Sequence, residues 1–146
     1  MSGGDDTATH ETAASDLEVV KHGYVAWARG DLDAMVTDYT ENVEIRPYLG
    51  RSLGASTYHG HTGVRQWYAD ANEEWEHLDV TPEEFIEGEG VVVVGMRAVG
   101  VGKGSHIEVD AHIWHVIELA DGKVYRLRGF GDRDEALRAA GIEKPR

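Results

Sequence analysis

The segment from His106 to Leu119 constrains the fold most, because polar and apolar residues alternate along it. Side chains on a β-strand point to alternate faces, so the pattern predicts a strand with one apolar and one polar face. Asp121-Gly122 follows, a dipeptide that favours the tight turn of a hairpin, and residues 124–130 then predict a second strand. His115 is the one polar residue on the apolar face, which otherwise comprises Ile107, Val109, Ala111, Ile113, Ile117 and Leu119.

Composition and charge exclude several classes of function. The 146 residues include no cysteine, which excludes disulfides, a thiol nucleophile and a cysteine-based zinc site. The net charge of −13 argues against binding to nucleic acid or to an anionic membrane, since both need a basic surface. No apolar segment approaches the ~18–20 residues that span a bilayer, and the first fifteen residues lack the apolar run of a signal peptide. We therefore expect a soluble, cytoplasmic protein.

Three helices are predicted in the first half of the chain. The sequence Ser15-Asp16-Leu17-Glu18 matches a capping box that starts the first helix, and Gly30 is suited to end it. Asp31 is suited to cap a short second helix, whose buried side comprises Leu32, Met35, Val36 and Tyr39. Thr62 is predicted to cap a third helix, whose apolar face comprises Val64, Trp67, Tyr68, Ala71 and Trp75.

Further strands are predicted on either side of the third helix. Residues 42–47 alternate apolar and polar side chains and predict a short strand. Residues 48–60 are rich in glycine and serine and predict a long loop, of the kind that forms a lid or a cavity rim. Residues 78–87 and 91–99 predict two strands that precede the hairpin.

The order of these elements predicts an α+β layer fold, because a run of helices is followed by a run of antiparallel strands. Residues 134–140 predict a terminal helix that Gly141 ends. We expect a single domain over residues 15–142 and a disordered tail over residues 1–14, which are small and polar.

Four segments resemble the SnoaL-like proteins of the nuclear-transport-factor-2-like superfamily. They are YVAWARGDLDAM, YHGHTGVRQWY, VVVV…GVGKGS and DGKVYRLRGFGDRDEALRAAGI, and the resemblance spans roughly residues 16–142. It implies a cystatin-like α+β cone, in which a curved antiparallel or mixed sheet wraps around three N-terminal helices and encloses a cavity. Because this fold hosts many chemistries, the resemblance implies the fold more firmly than the function.

The resemblance to ketosteroid isomerase-like proteins implies one set of catalytic residues. A tyrosine of the first helix helps to form the oxyanion hole in those proteins, and Tyr24 matches its position. Arg46 stands where they have the aspartate base, so the base is missing here. Their protonated acid falls near His115, and an imidazole can donate a hydrogen bond there.

Two other groups on the same cone imply different residues. Arg97 matches the arginine of limonene epoxide hydrolase-like proteins, but Val99 and Gly129 stand where those proteins have aspartates. In SnoaL-type polyketide cyclases a cavity acid/base drives an intramolecular aldol closure, and Asp110 and His115 lie on the corresponding strand. They have opposite parity, so a regular strand puts only one of them in the cavity.

The candidate catalytic residues are His115, Arg97, Tyr24 and Asp110. His115 leads, because imidazole transfers protons near neutral pH, and its alternative role is a hydrogen-bonded core histidine. Tyr24 and Arg97 are candidates to stabilise an oxyanion, although Arg97 is merely exposed if its face of the strand meets solvent. The candidate substrate-binding residues, whose alternative role is plain core, are Trp27, Tyr39, Trp67, Tyr68 and Tyr125.

Three hypotheses remain open. The first is a cofactor-free enzyme that acts on an apolar, oxygen-bearing small molecule as a cyclase, an isomerase or a hydrolase, in that order. The second is a non-catalytic binding or accessory module, and the third is a structural dimer with a filled core. No metal is expected, because His59 and His61 lack a third ligand at a recognisable spacing. A homodimer through the outer sheet face is expected, since that face combines His112, Trp114 and Phe130 with charges.

Overall fold

The computed structural model describes residues 15–48 and 57–142. The predicted disordered tail, residues 1–14, lies outside the described residues, as do residues 49–56 of the predicted long loop. No helix within the described ranges is long and apolar enough to cross a membrane.

Helix α1 spans Asp16–Arg29 and has the ends that the sequence predicts. The Glu18 N–H donates to Ser15 Oγ and the Ser15 N–H donates to the Glu18 carboxylate, each at 3.1 Å. This is the predicted capping box. Gly30 ends the helix in the left-handed conformation, with φ of 70°.

Two further helices contact the sheet from the same side as α1. Helix α2 spans Leu32–Val36, and the side chain of Asp31 caps it as predicted. Helix α3 spans Gly60–Glu74 and begins after His59, which makes no side-chain capping bond. The prediction that Thr62 caps this helix is wrong, because Thr62 lies inside its first turn.

Within the described residues, six strands form one sheet in the order β2-β1-β6-β5-β4-β3. They are β1 (Tyr39–Arg46), β2 (Tyr58–His59), β3 (Trp75–Gly88), β4 (Val91–Gly102), β5 (Glu108–Ala120) and β6 (Lys123–Phe130). Strands β1 and β6 run parallel, and all other neighbours run antiparallel. The sheet is mixed, curved and open, which confirms the predicted α+β fold class.

Two aromatic residues that were predicted to be helical are instead the first residues of strands. Tyr39 pairs with Val124 of β6. Trp75 has extended backbone, with φ of −113° and ψ of 133°, and pairs with Gly102 of β4. Aromatic residues have a high propensity for strands. Where a neighbouring strand is available for pairing, this propensity outweighs the helical spacing of the apolar residues.

The predicted hairpin of β5 and β6 is confirmed. Asp121 and Gly122 both have positive φ, 54° and 76°, as the tight turn between two antiparallel strands requires. The predicted start of β5 at His106 is wrong. His106 has φ of 60°, and its N–H donates to the carbonyl of Gly102 at 2.9 Å, so a turn precedes the strand, which begins at Glu108.

The two faces of the sheet are covered differently. Helices α1, α2 and α3 pack on the inner face, where the larger core includes Val92, Val94 and Met96 of β4 and Ile113 and Ile117 of β5. Helix α4 (Arg133–Ala140) packs on part of the outer face, where the smaller core comprises Val91, Val93, Val116, Ala136 and Leu137. The sheet therefore encloses the space beside the three N-terminal helices.

Candidate functional site

A cavity of about 750 Å³ lies between the inner face of the sheet and helices α1, α2 and α3. Its walls are mostly apolar and receive residues from all three helices and all six strands. Pockets for small molecules typically have volumes of about 300–1,000 Å³. The cavity can therefore hold an organic molecule, and it excludes the hypothesis of a structural dimer with a filled core.

His115 lies in the wall of this cavity, on the inner face of β5. Its neighbours across the sheet are Val94 on β4 and Gly129 on β6. Only 9% of the residue is exposed. Its Nδ1 forms a hydrogen bond of 2.8 Å with the hydroxyl of Tyr24, which α1 supplies from the opposite wall. No described residue hydrogen-bonds to Nε2, so this nitrogen is available to a ligand.

Burial keeps the polar groups at this end of the cavity uncharged. It lowers the pKa of His115 to about 4, because a protonated imidazole loses its hydration there. Burial also raises the pKa of Tyr24 well above its ordinary value, and neighbouring Tyr39 adds to the increase. The pKa of Tyr39 is raised chiefly by burial as well. We call Tyr24, Tyr39 and His115 the inner pole; all three are neutral at pH 7.

The Tyr24–His115 pair can present both a donor and an acceptor to a ligand. When the Tyr24 hydroxyl donates to Nδ1, the proton of the imidazole is on Nε2, which then donates into the cavity. When Nδ1–H donates to the Tyr24 oxygen, Nε2 accepts a proton and the Tyr24 hydroxyl is free to donate. The two neutral tautomers of the imidazole, together with rotation of the Tyr24 hydroxyl, therefore exchange these roles.

Aromatic rings form the wall next to the inner pole. The centroids of Trp27 and Trp67 are 4.5 Å apart, and Trp67 lies 6.5 Å from the ring of His115. Trp27, Trp67 and Tyr39, three of the candidate substrate-binding residues, line the cavity. Tyr68 does not line it, because its ring packs edge-on against Trp27 from behind, at 4.9 Å. Tyr125 does not line it either and is 40% exposed.

The structure does not bring Arg97 and Asp110 to the cavity, which corrects their assignment as catalytic residues. Arg97 donates to both oxygens of Asp110, at 2.9 and 2.6 Å, on the outer face of the sheet. Both side chains are about half exposed. The physical reason is parity: the alternate positions of β4, such as Met96 and Ala98, face the inner core. Asp110 likewise has the parity opposite to that of His115 on β5.

Sequence reasoning missed a group of acids at the other end of the cavity. Asp70, Glu73 and Glu74 of α3 and Asp79 of β3 line it there. We call Asp70, Glu73 and Glu74 the acidic mouth, because Glu73 is exposed to solvent. Asp79 pairs with Val99, so its side chain lies on the outer face of the sheet. The sequence contained one signal for these acids. Asp70 and Glu74 follow Trp67 by three and seven residues, a spacing that places both acids on the same helix face as Trp67.

Asp70 is held in place by two hydrogen bonds. The Tyr58 hydroxyl donates to Oδ2 at 2.6 Å, and Gln66 Nε2 donates to Oδ1 at 2.8 Å. The bond from Tyr58 and then that from Gln66 lower the pKa of Asp70. Burial, followed by the bond to Asp70, raises the pKa of Tyr58 to about 12. Asp70 is therefore an anion at neutral pH and Tyr58 is a neutral phenol.

The two histidines that suggested a metal pair have other positions. His59 is exposed at the start of α3, and His61 Nε2–H donates to the carbonyl of Tyr39 at 2.8 Å. No group of three or more histidines, aspartates or glutamates in the described part of the chain could hold a metal ion.

Comparison with solved structures shows the same fold in bacterial proteins. A nuclear-transport-factor-2-like protein of unknown function from Burkholderia pseudomallei K96243 is 21% identical, with 86% of this chain and 96% of that chain covered and a TM-score of 0.73. A putative SnoaL-like polyketide cyclase from Jannaschia sp. CCS1 is 22% identical, with 89% and 93% covered and a TM-score of 0.68. A hypothetical protein with a ketosteroid isomerase-like fold from Catenulispora acidiphila DSM 44928 is 15% identical, with 86% and 94% covered and a TM-score of 0.67.

These identities are low, so the likeness to solved structures shows the fold alone. No curated protein matches the sequence. The family of SnoaL-like domains matches residues 20–127, which is well over half of the chain and includes both Tyr24 and His115. Together with the cone-shaped fold and its cavity, this match shows that the chain belongs to the SnoaL-like domain family.

Proposed function

We propose that the chain is a small enzyme that needs no bound cofactor and acts by acid/base chemistry on an apolar, oxygen-bearing molecule in the cavity. The observation that supports this most is the buried pair of Tyr24 and His115, 2.8 Å apart in the cavity wall, with Nε2 left unbonded by the described residues. The apolar walls suit a hydrocarbon framework, and the pair suits a carbonyl or hydroxyl on it.

The neutral inner pole favours removal of a proton from carbon next to a carbonyl group. His115 is unprotonated at pH 7, so Nε2 can accept that proton while the Tyr24 hydroxyl donates a hydrogen bond to the developing oxyanion. The protonated imidazole is disfavoured by burial and returns its proton readily, either to another carbon or to the oxygen formed by aldol closure. Ring closure and isomerisation thus share their first step. Hydrolysis, in which Nε2 would activate water, is the third choice.

A binding or accessory module is the second candidate. The observation that favours it is that the inner pole contains no charged group among the described residues. A histidine whose pKa is about 4 is also a weak base. In a binding module the same pair would only hydrogen-bond to an oxygen of the ligand. The two candidates therefore differ in proton transfer and not in the ligand that they admit.

Deuterium exchange tests the shared first step without knowledge of the substrate. We would incubate the protein in D₂O with 4-phenylcyclohexanone and, separately, with 2-tetralone, and follow loss of the protons next to the carbonyl by NMR. The enzyme should accelerate exchange of at least one ketone over buffer. The variants His115→Gln and Tyr24→Phe should each lose most of that acceleration, since a positioned acid or base contributes about 10²–10⁴-fold.

His112→Gln is the matched control, because His112 lies on the same strand but on the outer face and is exposed. This variant should exchange the ketones like the wild type. If a ketone binds, as measured by calorimetry, and the wild type does not accelerate its exchange, the acid/base enzyme is rejected and the binding module takes its place.

A further inference from the structure

The hydroxyl of Tyr39 is a buried polar group that the proposed proton transfer does not use. Only 5% of the residue is exposed, and it lines the cavity. Its backbone is held in place, because its carbonyl accepts from His61 Nε2–H at 2.8 Å and the residue pairs with Val124 of β6. The hydroxyl itself hydrogen-bonds to no described residue. Most buried polar side-chain atoms in proteins have a partner, so this unpaired hydroxyl indicates a polar atom of a ligand.

Gly23 of α1 leaves open space next to this hydroxyl. The glycine is buried within the helix and lines the cavity. A Cβ atom at this position would lie 3.9 Å from the Tyr39 hydroxyl, which is an ordinary contact, and would meet no other packing neighbour among the described residues. Glycine inside a helix is less stable than alanine, and packing within the described chain does not require it here. We call the space between Gly23 and the hydroxyl the Tyr39 niche.

The Tyr39 niche lies apart from the Tyr24–His115 pair. On β6, Tyr39 is paired with Val124 and His115 with Gly129. Five strand residues separate these two pairing positions by about 16 Å. The Tyr39 hydroxyl reaches back towards the pair, since it lies against the helix residue that precedes Tyr24. An oxygen in the niche and an oxygen at the pair therefore belong to different parts of a ligand, and a molecule of two or three rings can contact both.

The niche suits a neutral oxygen better than a charged group. Burial, followed by the charge of Asp38, raises the pKa of Tyr39, so its hydroxyl is a neutral donor at pH 7. Asp38 is bonded to His22 at 2.6 Å and does not line the cavity. No lysine or arginine among the described residues lines the cavity either. A carboxylate or an ammonium group would therefore lose its hydration there without an opposite charge to compensate, whereas a hydroxyl or carbonyl oxygen needs only the hydrogen bond.

We propose that the Tyr39 niche is a second oxygen subsite, at which the Tyr39 hydroxyl donates a hydrogen bond to a neutral hydroxyl or carbonyl oxygen of the ligand. The substrate class is then an apolar molecule with one carbonyl group at Tyr24 and His115 and a second neutral oxygen in the niche. Tyr39 selects this class and takes no part in proton transfer. The proposal rests on the proposed function for the reacting carbonyl, and it adds the second oxygen.

Calorimetry with two matched pairs of ketones tests the second subsite. The pairs are 4-(4-hydroxyphenyl)cyclohexanone with 4-phenylcyclohexanone, and 6-hydroxy-2-tetralone with 2-tetralone. All four are uncharged at pH 7, and the members of a pair differ by one hydroxyl group. At least one hydroxylated ketone should bind about three- to tenfold more tightly than its parent, as one neutral hydrogen bond provides. Equal affinity within both pairs, as expected if a trapped water already satisfies Tyr39, or no binding of any ketone at millimolar concentration would overturn the proposal.

Three variants assign the preference to the niche. Tyr39→Phe removes only the hydroxyl and should bring the ratio of affinities within the responding pair to about one. Gly23→Ala places a methyl group in the niche and should do the same, with the melting temperature kept or raised because alanine favours a helix. Tyr68→Phe is the matched control, since Tyr68 packs behind Trp27 outside the cavity, and it should keep the wild-type ratio. A ratio that survives Tyr39→Phe or Gly23→Ala, or that falls equally in Tyr68→Phe, would overturn the proposal.

Failure here is distinguishable from failure of the proposed function, because binding is read without any reaction. Exchange of ketone protons that depends on His115, together with equal affinity within both pairs, rejects the second subsite alone. Tighter binding of a hydroxylated ketone that depends on Tyr39, together with no exchange, rejects the enzyme and leaves the subsite in a binding module.

Discussion

His115 shows how the environment of a single residue sets its chemistry. The side chain interrupts the apolar face of β5, and the surrounding core removes the hydration that a protonated imidazole needs. Its one hydrogen-bond partner among the described residues is the neutral hydroxyl of Tyr24. The same burial therefore keeps His115 unprotonated for proton transfer and lowers the stability of the folded protein at low pH.

This burial predicts a specific dependence of stability on pH. The pKa of His115 is about 4 in the folded protein against an ordinary value of 6.5. The unfolded chain thus binds more protons between these values, and stability is lost as pH falls from 6.5 towards 4. We expect the wild type to lose about 2–3 kcal/mol more than His115→Gln between pH 7.5 and 4.5. Urea unfolding of both proteins at both pH values measures this, and equal losses would contradict it.

At the scale of elements, we predict different effects of alanine substitution in the N-terminal turns of α1 and α3. Ser15→Ala removes one bond of the capping box and leaves an amide of α1 unpaired, so it should cost about 1 kcal/mol. Thr62→Ala changes an exposed residue in the first turn of α3 that makes no capping bond, so it should stay within about 0.5 kcal/mol of the wild type. Urea unfolding of the two variants checks both, and an equal cost for both would contradict the capping assignment.

The elements that the sequence predicted correctly are those whose signals are local. Three features depend only on residues that are close together in the sequence. They are the capping box at Ser15, the end of α1 at Gly30 and the turn at Asp121-Gly122. Tyr39 and Trp75 were assigned to helices because the decisive interaction is with a distant strand, at Val124 and Gly102. Local periodicity does not contain that information.

At the scale of the whole molecule, the sequence predicted those features of the candidate site that follow from the alternation of side chains along a strand. Parity placed His115 and Asp110 on opposite faces of β5, and the hydrogen bond between His115 and Tyr24 shows which face is inner. Parity did not decide the face of Arg97, because valines occupy both faces of β4. Helix α4 covers Val91 and Val93 on the outer face, so that face is apolar at one end and charged at the other. Only the packing of α4 against the sheet shows that Arg97 lies on the outer face.

The part of the outer face beyond α4 is the surface through which we expect a homodimer. It exposes Val99, at 38%, beside the Arg97–Asp110 ion pair and His112. Exposed apolar and charged residues that are arranged in this way can pair with the same patch of a second copy. Light scattering after size exclusion should therefore give a mass of about twice the 16.1 kDa of one chain.

Substitution on this face should separate the two copies without unfolding either. Val99→Asp adds a negative charge opposite its own copy, where like charges repel, and should give a monomer with an unchanged circular dichroism spectrum. Val25→Asp is the matched control, because Val25 is 51% exposed on α1, on the other side of the sheet, and it should leave the dimer intact. A monomeric wild type would reject the dimer itself. A dimer that survives Val99→Asp would place the interface elsewhere, because a buried carboxylate without a partner is costly at any close contact.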